Sequence, residues 1–414
     1  MFVQSQTDSG IRIIAETIPY LRSVSMGVWI KTGSAYEVEE INGASHFLEH
    51  LFFKGTARRS ARELAECIEG VGGTANAFTS RECTCLYATV LDEHLDLAID
   101  LLSDIMLNST FADLEKERQV VIEEIGSTED SPEDYVHDLF TAQIWKDHPL
   151  GLPVVGEREA VNALTLERIR AYFDEHYFAE NIIISIAGNI DPNAIIDDIA
   201  RAFEGIPEKG SNPGYSTPSV LPEITSHRKR LSQTHFCVGF PGISACDPRR
   251  FAFNILGNLL GGTSMSRLFQ KIREDQGLAY CVYAFFDVLA ATGMIGVYAA
   301  VAPKRTAQTL EIVMSELRKV REKLAPLDEL HRTKEQLKGS ITLNLESTFN
   351  RMVRLAKGIL LRDDVCEIDE LLTKIAGVSA EEVRELAAEL FCDSGVNLVS
   401  LGPTRKLALE SLET

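Results

Sequence analysis

Apolar residues spaced three or four apart alternate along this chain with short runs in which every second residue is apolar, and the two patterns follow one order twice. In the first half GIRIIAE and SVSMGVWIK predict strands, and the stretches around HFLEH and SARELAECIEGV predict helices. TANAFT and CTCLYATVL predict strands again, and DEHLDLAIDLLSDIML predicts a long amphipathic helix. The second half repeats that order in THFCVGFP, DPRRFAFNILGNLL, SMSRLFQKIRE, YCVYAFFDVL, GMIGVYAAVA and APKRTAQTLEIVMSELRKV. Even FADLEKERQVVIEEI and LDELHRTKEQLKGSI correspond loosely. Such repetition implies a duplication and an α+β fold. Two homologous domains are expected, each a mainly antiparallel sheet covered by helices, facing each other across a cleft. Between the copies, residues 205–223 (GIPEKGSNPGYSTPSVLPE) collect glycine, proline and serine without any period and read as a linker. The expected domains are therefore 1–210 and 211–414.

A length of 414 residues agrees with two cores rather than one, and 45% hydrophobic with 25% charged residues is an ordinary globular composition. The formal net charge of −20 excludes a general nucleic-acid binder, since phosphate backbones would be repelled, and leaves solubility or an attraction for basic peptides. The start MFVQSQTDSGIRIIAE lacks the pattern of a secretory signal, and no run of about eighteen apolar residues occurs. A soluble, cytoplasmic protein is expected, with no membrane partner; the other compartment to weigh is an organellar matrix, after loss of a transit peptide. The eight cysteines lack the paired spacing of a zinc ribbon or a disulfide scaffold. Cys83 and Cys85 share one face of a strand and read as packed thiols.

Against this background HFLEH stands out, because only the first copy carries it; the matching helix of the second reads FNILGNLL. With about 100° between successive helical residues, His50 falls roughly 40° from His46 and Glu49 roughly 60° to the other side. One ion can then face both imidazoles, with the carboxylate beside a water. Imidazole nitrogens one turn apart can converge at about 2.0–2.1 Å from a zinc centre, which then needs a third protein ligand. DLEKERQVVIEEI supplies candidates. On its helical wheel Glu117 and Glu124 fall inside the stripe of Leu114, Val120, Val121 and Ile125, whereas Glu115 and Glu123 point to solvent. Buried carboxylates need a cation or strong donors, so either Glu117 or Glu124 is the third ligand.

HFLEH within GASHFLEHLFFKGT, together with GGTANAFTS and ERQVVIEEI, resembles the pitrilysin, or inverzincin, zinc metallopeptidases over essentially the whole chain. The likeness is to half-length, bacterial members of the mitochondrial processing peptidase type. It implies one Zn²⁺ per chain held by His46, His50 and Glu124, with Glu49 as the base and Glu117 as a supporting acid. Arg273 and Tyr280, seven residues apart in IREDQGLAY, match a pair that in such enzymes reaches the bound peptide. Asn76, Ala77 and Phe78 in TANAFTS match a strand to which the peptide adds by main-chain bonds. A homodimer closing around peptides, basic or presequence-like, is implied. The competing readings are a noncatalytic assembly subunit of the same fold and the active half of a heterodimeric processing peptidase.

Two further motifs have plainer readings. The glycines of LLGGTSMSRLF lack the Lys-Ser/Thr of a phosphate loop and read as a turn, and HPLGLPVVG reads as a shaped loop with His148 structural.

Overall fold

The computed structural model describes residues 2–211, 214–392 and 395–403. The chain forms two compact units. The first comprises the chain up to Ser127, residues 152–215 and 343–365; the second comprises residues 128–151, 216–342 and the chain from Cys366 onward. The expected break at residue 210 becomes one at 215/216, within a stretch that forms no helix or strand among its described residues. Two segments depart from the simple halves: 128–151 belongs to the second unit and 343–365 to the first.

In the first unit β1 (Phe2–Gln6), β2 (Arg12–Thr17), β3 (Ser23–Ile30), β4 (Thr74–Thr79), β5 (Thr84–Leu91) and β6 (Ile182–Gly188) form one sheet in the order β1-β2-β6-β3-β5-β4. Only β2 and β6 run parallel. Alternation sends Met26, Val28 and Ile30 into a core with Phe47, Leu51 and Leu102, while Trp29 and Cys85 point to the opposite face. That face is closed by the helix Thr348–Arg362, which buries Met352, Leu355 and Ile359 against Trp29, Cys83 and Cys85. Each such side chain contributes about 1.5–3 kcal/mol on burial. Polar contacts fix its register: Trp29 Nε1 donates to Met352 Sδ at 3.3 Å, and Arg351 pairs with buried Glu16 at 2.9 Å. Both cysteines are free and buried.

The second unit repeats the plan with β7 (Glu223–Arg228), β8 (Thr234–Pro241), β9 (Ala279–Val288), β10 (Gly293–Val301) and β11 (Asn397–Gly402), in the order β7-β11-β8-β10-β9. Its single parallel pair, β7 with β11, stands where β2 and β6 stand in the first sheet. The helix Pro132–Ile144, from the N-terminal half of the chain, covers one face, with Phe140 edge-on to Phe285 at 5.5 Å. Among the described residues no helix is long and apolar enough to cross a membrane. His148 is structural as expected: its Nε2 bonds the Ser216 carbonyl at 2.8 Å and its Nδ1 accepts from Leu150 N at 3.2 Å.

Candidate metal centre

The helix Ala44–Phe52 follows β3 and turns Phe47, Leu48, Leu51 and Phe52, all fully buried, toward the core. Its first turn is capped by an acid rather than a hydroxyl. One oxygen of buried Glu37 accepts from Gly43 N at 2.7 Å and Asn42 Nδ2 at 3.0 Å, and the other accepts from Ser45 N at 2.7 Å. Burial pushes the Glu37 carboxyl up, against these hydrogen bonds. Gly43 takes φ 94°, and a Cβ there would come 2.8 Å from Gly156, so this entry to the helix requires glycine. With the apolar side pinned, His46, Glu49 and His50 occupy the other side.

The helix Leu114–Asp130 brings the carboxylates. Arg118 anchors it: the guanidinium donates to the Val161 carbonyl, and to that of Leu164 at 2.6 Å, and lies 5.6 Å over the Phe47 ring. Glu124 Oε2 lies 3.5 Å from His46 Nε2 and 3.4 Å from His50 Nε2, and the three ligand atoms all lie within 4.8 Å of one another. Two ligand atoms about 2.0–2.1 Å from one tetrahedral centre stand roughly 3.3–3.4 Å apart. A charge-assisted hydrogen bond would be shorter, about 2.7–2.9 Å. Both histidine–glutamate pairs are thus spaced for an ion. Burial pushes the His46 imidazole down to about 4, against the pull of Glu124, so His46 stands neutral with a free lone pair. His46 Nε2 is the nitrogen that faces Glu124, and the ring is also held by the Val155 backbone. His50 is raised, chiefly by its contact with Glu124, and Glu124 is lowered chiefly by His50.

Behind this trio, Glu117 is almost wholly buried, with Oε2 3.4 Å from His50 Nδ1 and Oε1 2.9 Å from Lys54 Nζ. It turns the His50 ring and is itself neutralised by the lysine. Glu49 sits beside the trio with Oε2 accepting from Thr79 Oγ1 at 2.7 Å, and burial raises its carboxyl above the ordinary range.

One expectation needs correction. Glu124 does not lie inside the apolar stripe: its side chain is 44% exposed, and Val120, one turn earlier, is 45% exposed. The buried stripe runs through Glu117, Val121 and Ile125. A ligand at the mouth of a site must face solvent, and the wheel, which sees one helix alone, cannot tell core from mouth. Glu115 is exposed as expected and pairs with Arg118 at 3.0 Å.

The other predicted residues fall in two places. Asn76, Ala77 and Phe78 lie on β4, an edge strand paired only with β5. Asn76 is exposed, its Oδ1 accepting from Ala77 N at 2.8 Å, whereas Phe78, on the same face of the strand, packs edge-on to Trp29 at 5.4 Å. Phe78 therefore offers an edge backbone rather than a side chain. Arg273 and Tyr280 lie in the second unit, on a π-helical turn (Phe269–Glu274) and at the start of β9. The Arg273 guanidinium lies 4.5 Å over the Tyr280 ring and donates to the Tyr280 carbonyl at 3.0 Å, leaving Tyr280 78% exposed. Lys54 and Thr79 escape the sequence reading. A buried acid without a named cation was the available signal for the lysine; nothing marks the threonine within a β-prone run.

Comparison with known proteins agrees with this geometry. Residues 12–158 match the family described as insulinase (peptidase family M16), and residues 163–337 match the peptidase M16 inactive domain. An uncharacterized zinc protease of Bacillus subtilis, YmxG, is 41% identical over 93% of this chain and 94% of its own. One from Streptomyces coelicolor is 40% identical over 92% of this chain and 85% of its own. A Helicobacter pylori protease of known structure superposes with a TM-score of 0.90 at 22% identity, covering 97% of this chain and 99% of that one.

Proposed function

The chain belongs to peptidase family M16, and from that premise we propose that it is a zinc-dependent endopeptidase or oligopeptidase that hydrolyses peptides inside a closed chamber. The observation that carries this reading is the convergence of His46, His50 and Glu124 at zinc-ligand spacing, with Glu49 alongside. These three residues would hold the ion. When bound, zinc supplies Lewis-acid activation of a water and of the scissile carbonyl. Glu49 takes a proton from the attacking water on its carboxylate and returns it to the leaving amine nitrogen. Glu117 keeps His50 turned to present Nε2.

The edge of β4 binds an extended peptide backbone beside Asn76 and Ala77, once the Asn76 side chain releases Ala77 N–H. Tyr280 and Arg273 are assigned to the developing oxyanion. Removal of one such donor typically costs about 3–4 kcal/mol in the transition state. A homodimer, a preference for basic or presequence-like peptides given the net charge of −20, and a cytoplasmic location complete the proposal.

The decisive experiment compares metal content and cleavage of a mixed peptide library before and after Glu49→Gln. Turnover should fall about 10²–10⁴-fold while zinc stays at one per chain. Wild-type protein that carries no zinc and cleaves nothing would favour the noncatalytic assembly subunit.

A further inference from the structure

Glu49 has three side-chain torsions and lies on the open side of its helix, so the helix alone does not decide where its carboxylate points. Thr79 decides it. This residue ends β4, pairs with Thr84 of β5, and directs its hydroxyl to Glu49 Oε2 at 2.7 Å, while its main chain also hydrogen-bonds the carboxylate. That is the length of a short hydrogen bond to an ionised oxygen. The ordinary explanation for threonine here is strand propensity, which its β-branched carbon satisfies without any hydroxyl. A 2.7 Å bond onto the one carboxylate assigned to proton transfer is not required by the strand.

Resting on the proposed peptidase reading, we propose that Thr79 is a positioning residue for Glu49: its hydroxyl holds Oε2 and so fixes the direction of the carboxylate that handles protons. Because Thr79 closes the same strand whose edge takes the peptide, one element places both the substrate backbone and the base. The two then keep a common reference, and a shift of about 1 Å in such a reference costs about 10²-fold in rate.

The test replaces the hydroxyl and keeps the shape. For Thr79→Val, kcat should fall about 10–100-fold, with KM within about twofold of wild type. Zinc should remain at one per chain, and the crystal structure of the variant should show the Glu49 carboxylate displaced or split between conformers. Thr79→Ser, which keeps the donor, should recover most of the lost kcat. A Glu49 carboxylate unmoved in Thr79→Val, kcat within about twofold of wild type, or zinc lost in step with activity would each overturn the proposal. If the wild-type chain hydrolyses no peptide, the peptidase reading fails by itself, and the position of Glu49 in the variant crystal still decides whether Thr79 holds it.

Discussion

Set Ser45–Phe52 of the first unit against Phe253–Leu260 of the second: both helices follow the corresponding strand, β3 or β8, and bury the same positions. Phe47, Leu48, Leu51 and Phe52 correspond to Ile255, Leu256, Leu259 and Leu260, and all eight are buried. The polar positions differ completely. Where the first helix has His46, Glu49 and His50, the second has Asn254, Gly257 and Asn258. Both asparagines bond back to their own helix, Asn254 Nδ2 to the Arg250 carbonyl at 2.7 Å and Asn258 Nδ2 to the Asn254 carbonyl at 2.8 Å. Gly257 lets the Phe286 ring approach, and a Cβ at Gly261 would overlap the Ala284 backbone. In the loosely matching later helices Glu117 and Glu124 give way to Thr333 and Ser340. The fold thus accepts a self-satisfied helix at this position. The convergence of His46, His50 and Glu124, with Glu117 buried behind them, is therefore not a demand of the architecture, and the trio is a group that could hold a metal ion.

The strongest way to break this comparison is to write the second helix into the first. His46→Asn with His50→Asn should take zinc from one per chain to none and abolish peptide cleavage, while circular dichroism and thermal unfolding report an intact fold. Unfolding of the double variant would mean that the histidines serve the core after all. Next in size is Gly261→Ala in the second unit, where the obstacle is backbone that cannot move aside. Destabilisation of about 3 kcal/mol is expected in denaturant titration. Lys54→Met leaves Glu117 buried beside His50 without its cation, and zinc affinity, read by chelator competition, should drop about 10–100-fold. Adding Glu117→Gln should recover part of that loss by removing the stranded charge. The smallest effect belongs to Asn258→Ala, whose side chain bonds only its own helix: about 1 kcal/mol or less in stability, with zinc content unchanged.

Much of the site was legible because its key spacing is local. His46, Glu49 and His50 lie within one turn and a half of helix, and helical periodicity alone places them together. Glu117 and Glu124 were legible as a pair two turns apart, and the family resemblance assigned Glu124 as the ligand; the helical wheel left that choice open because it does not see the solvent boundary. Lys54 and Thr79 were invisible for a related reason. Each acts on a residue far away in sequence, Lys54 on Glu117 and Thr79 on Glu49, and neither type is unusual where it occurs.

At the level of the fold, alternation and helical period were enough to determine most strands, the long helices and the doubling of one plan, since these depend on which side of each element is apolar. Only the tertiary structure decided that Ile182–Gly188 and Asn397–Gly402 enter the sheets as parallel neighbours of β2 and β7. It alone decided that the helices Pro132–Ile144 and Thr348–Arg362 each cover the sheet of the other half. An apolar stripe states that a helix must be covered and not by what. Which of two similar sheets it meets is settled by side-chain fit and chain path, and the pairs Trp29 with Met352 and Phe140 with Phe285 record the outcome.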